Sequence, residues 1–524
     1  MDENWLAALS RFNWYKRDST GLIQFSRDKC RCNCALSPWQ IHVSSEAFYS
    51  YSENGKKRIL GGFDENRCKD FKMTASGFCR NTFLILTAFF LSIGSVVKAS
   101  TVRLLHSEVE AFALRLELID TAQSSIDLSL YEISDGNTSG RFLVALLNAV
   151  ERGVVVRILV DGHIGDNRMP KPLMHYLIEH GVAIRERPLN VRYQLELGRS
   201  RLHDKLLIID RTHLITGGRN LEQKYFGIGD RKSIDRDVYV DGQSACHAAD
   251  YFEQRWNESK SGQPDLNRAE APKNLALQVH PEWNTMPRAQ ALEHVAVWLG
   301  SLSTGPMPAQ DLCNPAIHYG ELEIDESNLR FLHDFVGESK TANGAIAPAI
   351  LRLLRQACHS IEIETPYFAI SKDLKSILLD AVSRGVQIRI FTNSLESTDH
   401  PAVHAGFANE RRWMLRAGIR IYELQGRNML HAKSMVVDGR IAMVGSYNFD
   451  RLSESRNFEV ALIVTDYKFA NQVSSSIANH GSQTKELHRG DLFRYEARES
   501  NLPTHDLHRF RRLRIAAPFI ERYL

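Results

Sequence analysis

From residue 101 onward, apolar and polar positions follow two periods that recur twice in the same order. Ser125 to Tyr131 (SIDLSLY) and Ser360 to Tyr367 (SIEIETPY) alternate with the period of a strand. Phe142 to Arg152 and Leu374 to Arg384 carry apolar residues three and four apart, the period of a helix with one buried face. Gly153 and Gly385 then turn each helix into an apolar strand, GVVVRI or GVQIRI, and a further helix and strand follow, with GVAIRE after His180 and GIRIYE after Ala417. Strand, helix and strand in alternation predict β-α-β units with helices covering a sheet. The fold class expected is α/β: two pseudo-twofold-related α-β-α sandwich lobes with mixed, largely parallel sheets and an active site at the lobe interface. The lobes span 101–257 and 344–480. A linker with some local structure fills 258–343, where SKSGQPD and PMPAQ interrupt any period, and a basic tail fills 481–524.

The start of the chain reads differently. Phe83 to Val97 (FLILTAFFLSIGSVV) is an apolar run with Lys69, Lys72 and Arg80 before it and Val97-Lys98-Ala99-Ser100 at its end. It is shorter than the roughly 20 residues that span a bilayer, and its flanks are those of a signal peptide cleaved after Ala99. Residues 73–99 are therefore expected to be a signal peptide or short anchor, with translation from Met73. Residues 1–72, without clear periodicity, are expected to be an extension outside the working protein. This predicts an exported protein of the bacterial periplasm or cell envelope.

Composition narrows the classes further. Across 524 residues, 43% are hydrophobic and 24% charged, values that exclude wholesale disorder and a polytopic membrane protein. A formal net charge of +3 excludes a dedicated nucleic-acid coat. The eight cysteines are too few for a disulfide scaffold of this length, and CRCNC at 30–34 has no partner set at finger spacing, so no metal is expected.

The chemistry follows the repeat. His203-Asp-Lys-Leu-Leu-Ile-Ile-Asp210 is followed by Gly217-Gly-Arg-Asn220, and His431-Ala-Lys-Ser-Met-Val-Val-Asp438 by Gly445-Ser-Tyr-Asn448. In both copies lysine stands at +2 from histidine, aspartate at +7, glycine at +14 and asparagine at +17. One such motif is a weak signal, whereas two in register are strong. A strand puts residues i and i+2 on one face, so His203 projects with Lys205 and His431 with Lys433. Glycine allows close backbone approach and asparagine supplies an amide donor. Two lysines and two asparagines can stabilise the charge that builds on a phosphodiester, while one imidazole attacks and the other moves protons.

With those motifs in hand, residues 101–480 resemble the phospholipase D superfamily, whose signature is two HxKxxxxD motifs each followed by a GSxN-like turn. GGRNLEQKYFG and GSYNFDRLSESRNFEVALIV are most similar to its bacterial cardiolipin synthase-like branch. The resemblance implies a covalent phosphohistidine and no cofactor. It assigns His203 to attack and His431 to general acid and base, with Lys205, Lys433, Asn220 and Asn448 clamping phosphate. Ser446 adds a hydroxyl in the second turn, where Gly218 stands in the first. It also implies an acid after each turn, bonded to the nearby histidine, for which Glu459 and Asp237 fit. Asp210 and Asp438, by the same resemblance, lie away from the phosphate and make structural ion pairs.

Three readings of the substrate compete. The first is a phospholipid phosphatidyltransferase or phospholipase, the second a metal-independent nuclease of the superfamily, and the third a non-catalytic lipid-binding envelope protein. Two fused lobes, expected as a monomer, favour the lipid branch over nucleases that resemble a single dimerising lobe. Arg509, Arg511, Arg512 and Arg514, with Phe510 and Leu513 among them, suit an anionic membrane surface, and nucleic acid is the alternative partner.

Overall fold

The computed structural model describes residues 99–162, 168–187, 201–258, 262–267, 275–276, 278–303, 318–334, 345–490 and 512–516, together with five short strands between Tyr15 and Gly62. The CRCNC segment and the apolar run at 83–97 lie outside the described residues. The chain divides into two compact units, Met1–Ser95 and Val96–Leu524. In the first, Tyr15–Arg17 pairs antiparallel with Ile23–Phe25, and Ile41–Ser44, Ala47–Tyr51 and Lys57–Gly62 form an antiparallel meander. These strands fall in a stretch whose sequence shows no clear period.

The second unit holds both lobes. The first runs β1 (Ala99–Leu105), α1 (Glu108–Thr121), β2 (Ser125–Leu130), α2 (Asn137–Glu151), β3 (Val155–Asp161), α3 (Lys171–Glu179), β4 (Ala183–Arg187), β5 (Lys205–Ile209), β6 (His213–Gly217), β7 (Asp237–Asp241) and α4 (Gln243–Trp256). After α5 (Arg288–Leu302), β8 (Leu322–Asp325) completes an eight-stranded sheet of order β8-β1-β7-β6-β5-β2-β3-β4. The second lobe repeats the plan with β9 (Leu329–His333), α6 (Ile346–Gln356), β10 (Ser360–Glu364), α7 (Lys372–Ser383), β11 (Gln387–Asn393), α8 (Pro401–Ala417), β12 (Arg420–Leu424), β13 (Ser434–Val437), β14 (Ile441–Gly445), β15 (Val460–Thr465), α9 (Tyr467–Ala478) and β16 (Thr484–Glu486). Its sheet has the order β9-β15-β14-β13-β10-β11-β12-β16.

Local chemistry explains the boundaries. Ser107 and Ser371 accept backbone N–H groups at the starts of α1 and α7, Asp466 does so for α9, and α8 opens on Pro401 and closes at Gly418 with φ +91°. Every residue of β5 and β13 is buried, which is why these strands read as unbroken apolar runs flanked by polar ones.

The sheets are mixed, but the balance differs from the largely parallel expectation. Only β2-β3-β4 and β10-β11-β12 run parallel; the other pairings are antiparallel. The β-α-β rule holds for the first part of each repeat, while β5-β6 and β13-β14 are hairpins with short turns. The 258–343 stretch is also more than a connection. It supplies α5, the edge strand β8 of the first sheet and the edge strand β9 of the second.

Three large apolar cores result among the described residues. One belongs to each lobe, and the third is shared: Leu206, Ile208 and Val240 pack with Val436, Ala442 and Leu462, between Phe252 of α4 and Phe469 of α9. Burial of roughly ten such side chains, at about 1.5–3 kcal/mol each, holds the two sheets face to face.

Candidate active site at the seam between the lobes

Each histidine is positioned by the other lobe. Phe458 N–H donates to the Arg201 carbonyl at 2.8 Å, and His203 N–H donates back to the Phe458 carbonyl at 3.0 Å. In the mirror arrangement, Ser233–Ile234 pairs parallel with Met429–Leu430, and His431 N–H donates to the Ile234 carbonyl at 2.7 Å. These clasps lay each histidine beside the residue that precedes the opposite lobe's acid. His203 Nδ1 therefore lies 2.8 Å from Glu459 Oε2, and His431 Nδ1 lies 2.7 Å from Asp235 Oδ2. An ionised carboxylate only accepts, so each Nδ1 carries the proton and each Nε2 keeps its lone pair.

Electrostatics favour neutral imidazoles. Burial, then Lys205, Lys433 and Arg201, hold His203 well below the ordinary histidine range, and burial with Lys433 lowers His431 to about 3. Burial and Lys433 bring Lys205 down to about 7, and burial brings Lys433 to about 8. Lys205 Nζ donates to its own His203 carbonyl at 2.8 Å, while Lys433 Nζ sits against the His431 ring, 2.8 Å from Nδ1 and 3.1 Å from Nε2. Two like charges held close in a buried seam constitute an anion site. Among the described residues, no group of three or more His, Cys, Asp or Glu side chains is arranged for a metal ion.

The turns explain their glycines. A Cβ on Gly217 would lie 2.4 Å from the Arg236 carbonyl, and one on Gly445 2.4 Å from the Val460 carbonyl. In the second lobe, Ser446 Oγ donates to Glu459, and so does Ser453 Oγ at 2.6 Å. In the first lobe a Cβ on Gly218 would stand 2.1 Å from Asp235 Oδ1, so the shorter acid occupies the space a serine would need. That is the physical reason for the first turn's departure from GSxN.

Two expectations are corrected here. Asp237 is not the first lobe's histidine partner: its carboxylate lies 2.7 Å from Arg115 and 3.0 Å from Arg219, both buried. Sheet register shows why, since Gly217 faces Asp237 while Gly445 faces Ala461, so the counterpart of Glu459 lies two residues earlier, at Asp235. The acid-Arg-acid spelling of Asp235-Arg236-Asp237 was the available signal. The Asn220 amide nitrogen donates to Glu132 at 3.3 Å and to Tyr225 Oη at 3.1 Å. Asp210 and Asp438 lie away from the histidines as expected, but without ion pairs as their role. Each turns the backbone at positive φ and accepts N–H groups, of Gln123, Ser124 and Ser125 or of Cys358, His359 and Ser360.

Several side chains escaped the sequence reading. Tyr131 stands edge-on to His203 with ring centres 4.9 Å apart, and Tyr225 to His431 at 5.0 Å. Tyr367, the repeat counterpart of Tyr131, donates to Asp399 at 2.6 Å. Recurrence of tyrosine at the end of SIDLSLY and SIEIETPY was a readable hint, whereas nothing local marks Tyr225, Ser453 or Glu132. Of the basic tail, residues 512–516 are described. Leu513 packs against the small cluster of Ala405 and Ala408.

Comparison with known proteins agrees with this geometry. The family described as cardiolipin synthase, PLD-like domain, matches residues 116–256 and 350–480, one stretch in each lobe. Cardiolipin synthase C of Escherichia coli (strain K12) is 30% identical over 397 residues, covering 69% of this chain and 80% of that protein. An uncharacterized protein of Helicobacter pylori (strain J99) is 28% identical over 438 residues, covering 78% and 85%. Among solved structures, phosphatidylserine synthase of Haemophilus influenzae Rd KW20 superposes with a TM-score of 0.59 at 15% identity, covering 83% of this chain and all of that one, and so shares the fold. The chain belongs to the phospholipase D superfamily of enzymes, in its cardiolipin synthase-like branch.

Proposed function

We propose that the protein transfers a phosphatidyl group from a phospholipid to an alcohol acceptor through a covalent intermediate on His203. The observation that carries this reading is the crosswise pairing, Glu459 on His203 and Asp235 on His431, which leaves two neutral imidazoles whose Nε2 atoms keep their lone pairs, that of His431 3.1 Å from Lys433 Nζ. The phosphodiester anion lies between Lys205 and Lys433, with Asn448 and Ser446 in the second turn. Its charge offsets the lysines and raises the His431 pKa, so that His431 takes up the proton the first step needs. His203 Nε2 then attacks phosphorus, the bond to the leaving alcohol breaks, and His431 Nε2–H protonates that oxygen. In the second step His431 Nε2 accepts the proton of the incoming hydroxyl, its oxygen attacks phosphorus, and the P–N bond breaks to restore His203. The lysines stabilise the charge on the equatorial oxygens in both steps. Export to the bacterial envelope and contact with an anionic membrane accompany this reading. A native chain beginning after Ala99 would support them, and one retaining Met1 would count against them.

The test incubates the purified protein with labelled phosphatidylglycerol and phosphatidylethanolamine, with and without a primary alcohol, in a chelator. Cardiolipin or phosphatidyl-alcohol is the expected product. Phosphatidic acid alone would replace transfer by hydrolysis, and cleavage of DNA without lipid turnover would select the nuclease. His203→Ala and His431→Ala should each lower turnover by orders of magnitude, and His203→Ala should trap no labelled phosphoenzyme. Full turnover without both imidazoles would sink the mechanism.

A further inference from the structure

The residue between the motif histidine and lysine differs between the lobes, and so does what lies behind it. In the first lobe it is Asp204, fully buried, with Oδ2 accepting from Tyr251 Oη at 2.7 Å and Oδ1 without a hydrogen-bond partner. Burial pushes this carboxyl up to about 7, so it stands there against a desolvation cost. Tyr251 lies on α4, where Arg255, one helical turn on, donates from Nε to the same hydroxyl at 3.1 Å. Both side chains are buried; His333 of β9 stacks on the Tyr251 ring at 4.3 Å, and Glu258 accepts from Arg255 at 2.8 Å.

The same guanidinium reaches the opposite lobe. Its Cζ lies 3.7 Å from the centre of the Phe458 ring, and that of Arg187 lies 4.3 Å from it. Phe458 is the residue whose carbonyl accepts the His203 N–H, and its neighbour Glu459 meets His203 Nδ1. Two lines therefore run from α4 to His203, one along the chain through Asp204 and one across the seam through Phe458 and Glu459.

The second lobe fills the equivalent places without charge. Ala432 follows His431, Ser475 and Asn479 take the positions of Tyr251 and Arg255, Ile234 that of Phe458, and Leu424 ends β12 where Arg187 ends β4. Ile234 and Leu424 pack in the shared apolar core, while Asn479 is exposed and donates to Tyr319 Oη at 3.2 Å.

We infer that Tyr251 and Arg255 are positioning residues for His203, holding its segment through Asp204 and its carboxylate partner through Phe458, while the His431 segment rests on apolar packing. In-line attack fixes both distance and angle at phosphorus, so the attacking imidazole needs the firmer seat. The assignment rests on His203 as the nucleophile of the phosphatidyltransferase reading, and the experiment separates the two.

The probe is a chromogenic aryl phosphodiester, given at saturation to the full chain in a His431→Ala background. A P–N bond forms at His203 Nε2 as the bond to the phenolate oxygen breaks; the phenolate leaves without a proton, and the second step stalls without His431. Phenolate release then stops at one equivalent per competent site, so its rate reports the placing of His203 and its amplitude the folded fraction. Tyr251→Phe, and Arg255→Lys, which loses the planar face and the Nε donor, should each slow release about tenfold at unchanged amplitude. Asp204→Ala should do the same, and Asp204→Asn, which keeps an oxygen for the Tyr251 hydroxyl, should stay within about threefold of the parent. With Glu459→Gln already present, Arg255→Lys should cost no more than about twofold further, because one acts through the other. Asn479→Ala should leave the rate unchanged. With His431 intact, Tyr251→Phe and Arg255→Lys should lower kcat for phosphatidyl transfer with little change in KM. Unchanged rates in these two variants, or a lower amplitude at unchanged rate, would overturn the inference. A folded His431→Ala parent that releases no phenolate would instead overturn the reading of His203 as nucleophile beneath it.

Discussion

The two lobes share a backbone plan yet fill equivalent places with opposite chemistry, and the seam is where they agree. In the first, Arg115, Asp237 and Arg219 form a buried ionic cluster; in the second, Ile350, Ala461 and Tyr447 occupy the same helix, strand and turn positions. Gly218 with Asp235 in one corresponds to Ser446 with Glu459 in the other, each pair fitting one carboxylate to the opposite imidazole. Interior positions tolerated replacement of charge by apolar volume, but the carboxylate on each histidine was kept through a compensating change of size. The requirement that survives divergence is geometric, a proton held on Nδ1.

The sharpest way to break this comparison is at the carboxylates. Glu459→Gln and Asp235→Asn should each lower lipid turnover about 10²-fold or more, by disturbing tautomer and orientation. An aryl phosphodiester, whose leaving phenolate needs no proton, sharpens it: Asp235→Asn should accumulate labelled phosphoenzyme in alkaline-quench assays, and Glu459→Gln should not. Equal labelling would mean that the histidines are interchangeable.

Next in size is the ionic cluster. Asp237→Ala strips the carboxylate from two buried guanidinium groups and should cost about 3–5 kcal/mol in urea unfolding. The joint replacement Arg115→Ile, Asp237→Ala and Arg219→Tyr imports the second lobe's filling and should recover most of that loss. Failure to recover would show that the cluster supports more than packing.

A smaller effect concerns pH. Lys205 near 7 and Lys433 near 8 lose their charge as pH rises, so kcat/KM, which reports the free enzyme, should fall as pH climbs through this range. Lys433→Arg should move the upper limb to higher pH if the assignment holds, and an unmoved limb counts against it.

Smallest and symmetric are the strand-turn aspartates. The Ser124 hydroxyl and then backbone N–H groups hold Asp210 below the usual carboxylate range, and backbone N–H groups do so for Asp438. A depressed folded pKa contributes stability above the unfolded value of about 3.9 and loses it as pH falls through the folded value. Asp210→Asn and Asp438→Asn should therefore each cost about 1 kcal/mol at neutral pH and less in acid, equally in the two lobes, as read from melting temperature against pH.

Much of this was legible in the chain. The repeat announced itself because strand, helix and HxKxxxxD recur at matching offsets, and identical residue types at identical spacing survive without knowledge of contacts. What stayed hidden depended on pairing between distant segments. Asp235 and Asp237 face the same way in an extended chain, and only the register of β6 against β7 tells them apart. The mixed sheets were expected, but their antiparallel share was underestimated because β-α-β alternation speaks for the first three strands alone. Edge strands β8 and β9 are short, and Leu322–Asp325 carries no strong period of its own until β1 lies beside it. The Glu132, Asn220 and Tyr225 chain joins residues far apart in sequence, so no local pattern could assemble it.

The clasp by which Phe458 and Ile234 exchange backbone bonds with the opposite histidine segments has a consequence for dissection. Were the polypeptide severed between its halves, each fragment would keep an imidazole and an ammonium but surrender the acid that tunes them. Neither would be half an enzyme; both would be inert until they found each other again, and the rejoined pair would regain function all at once.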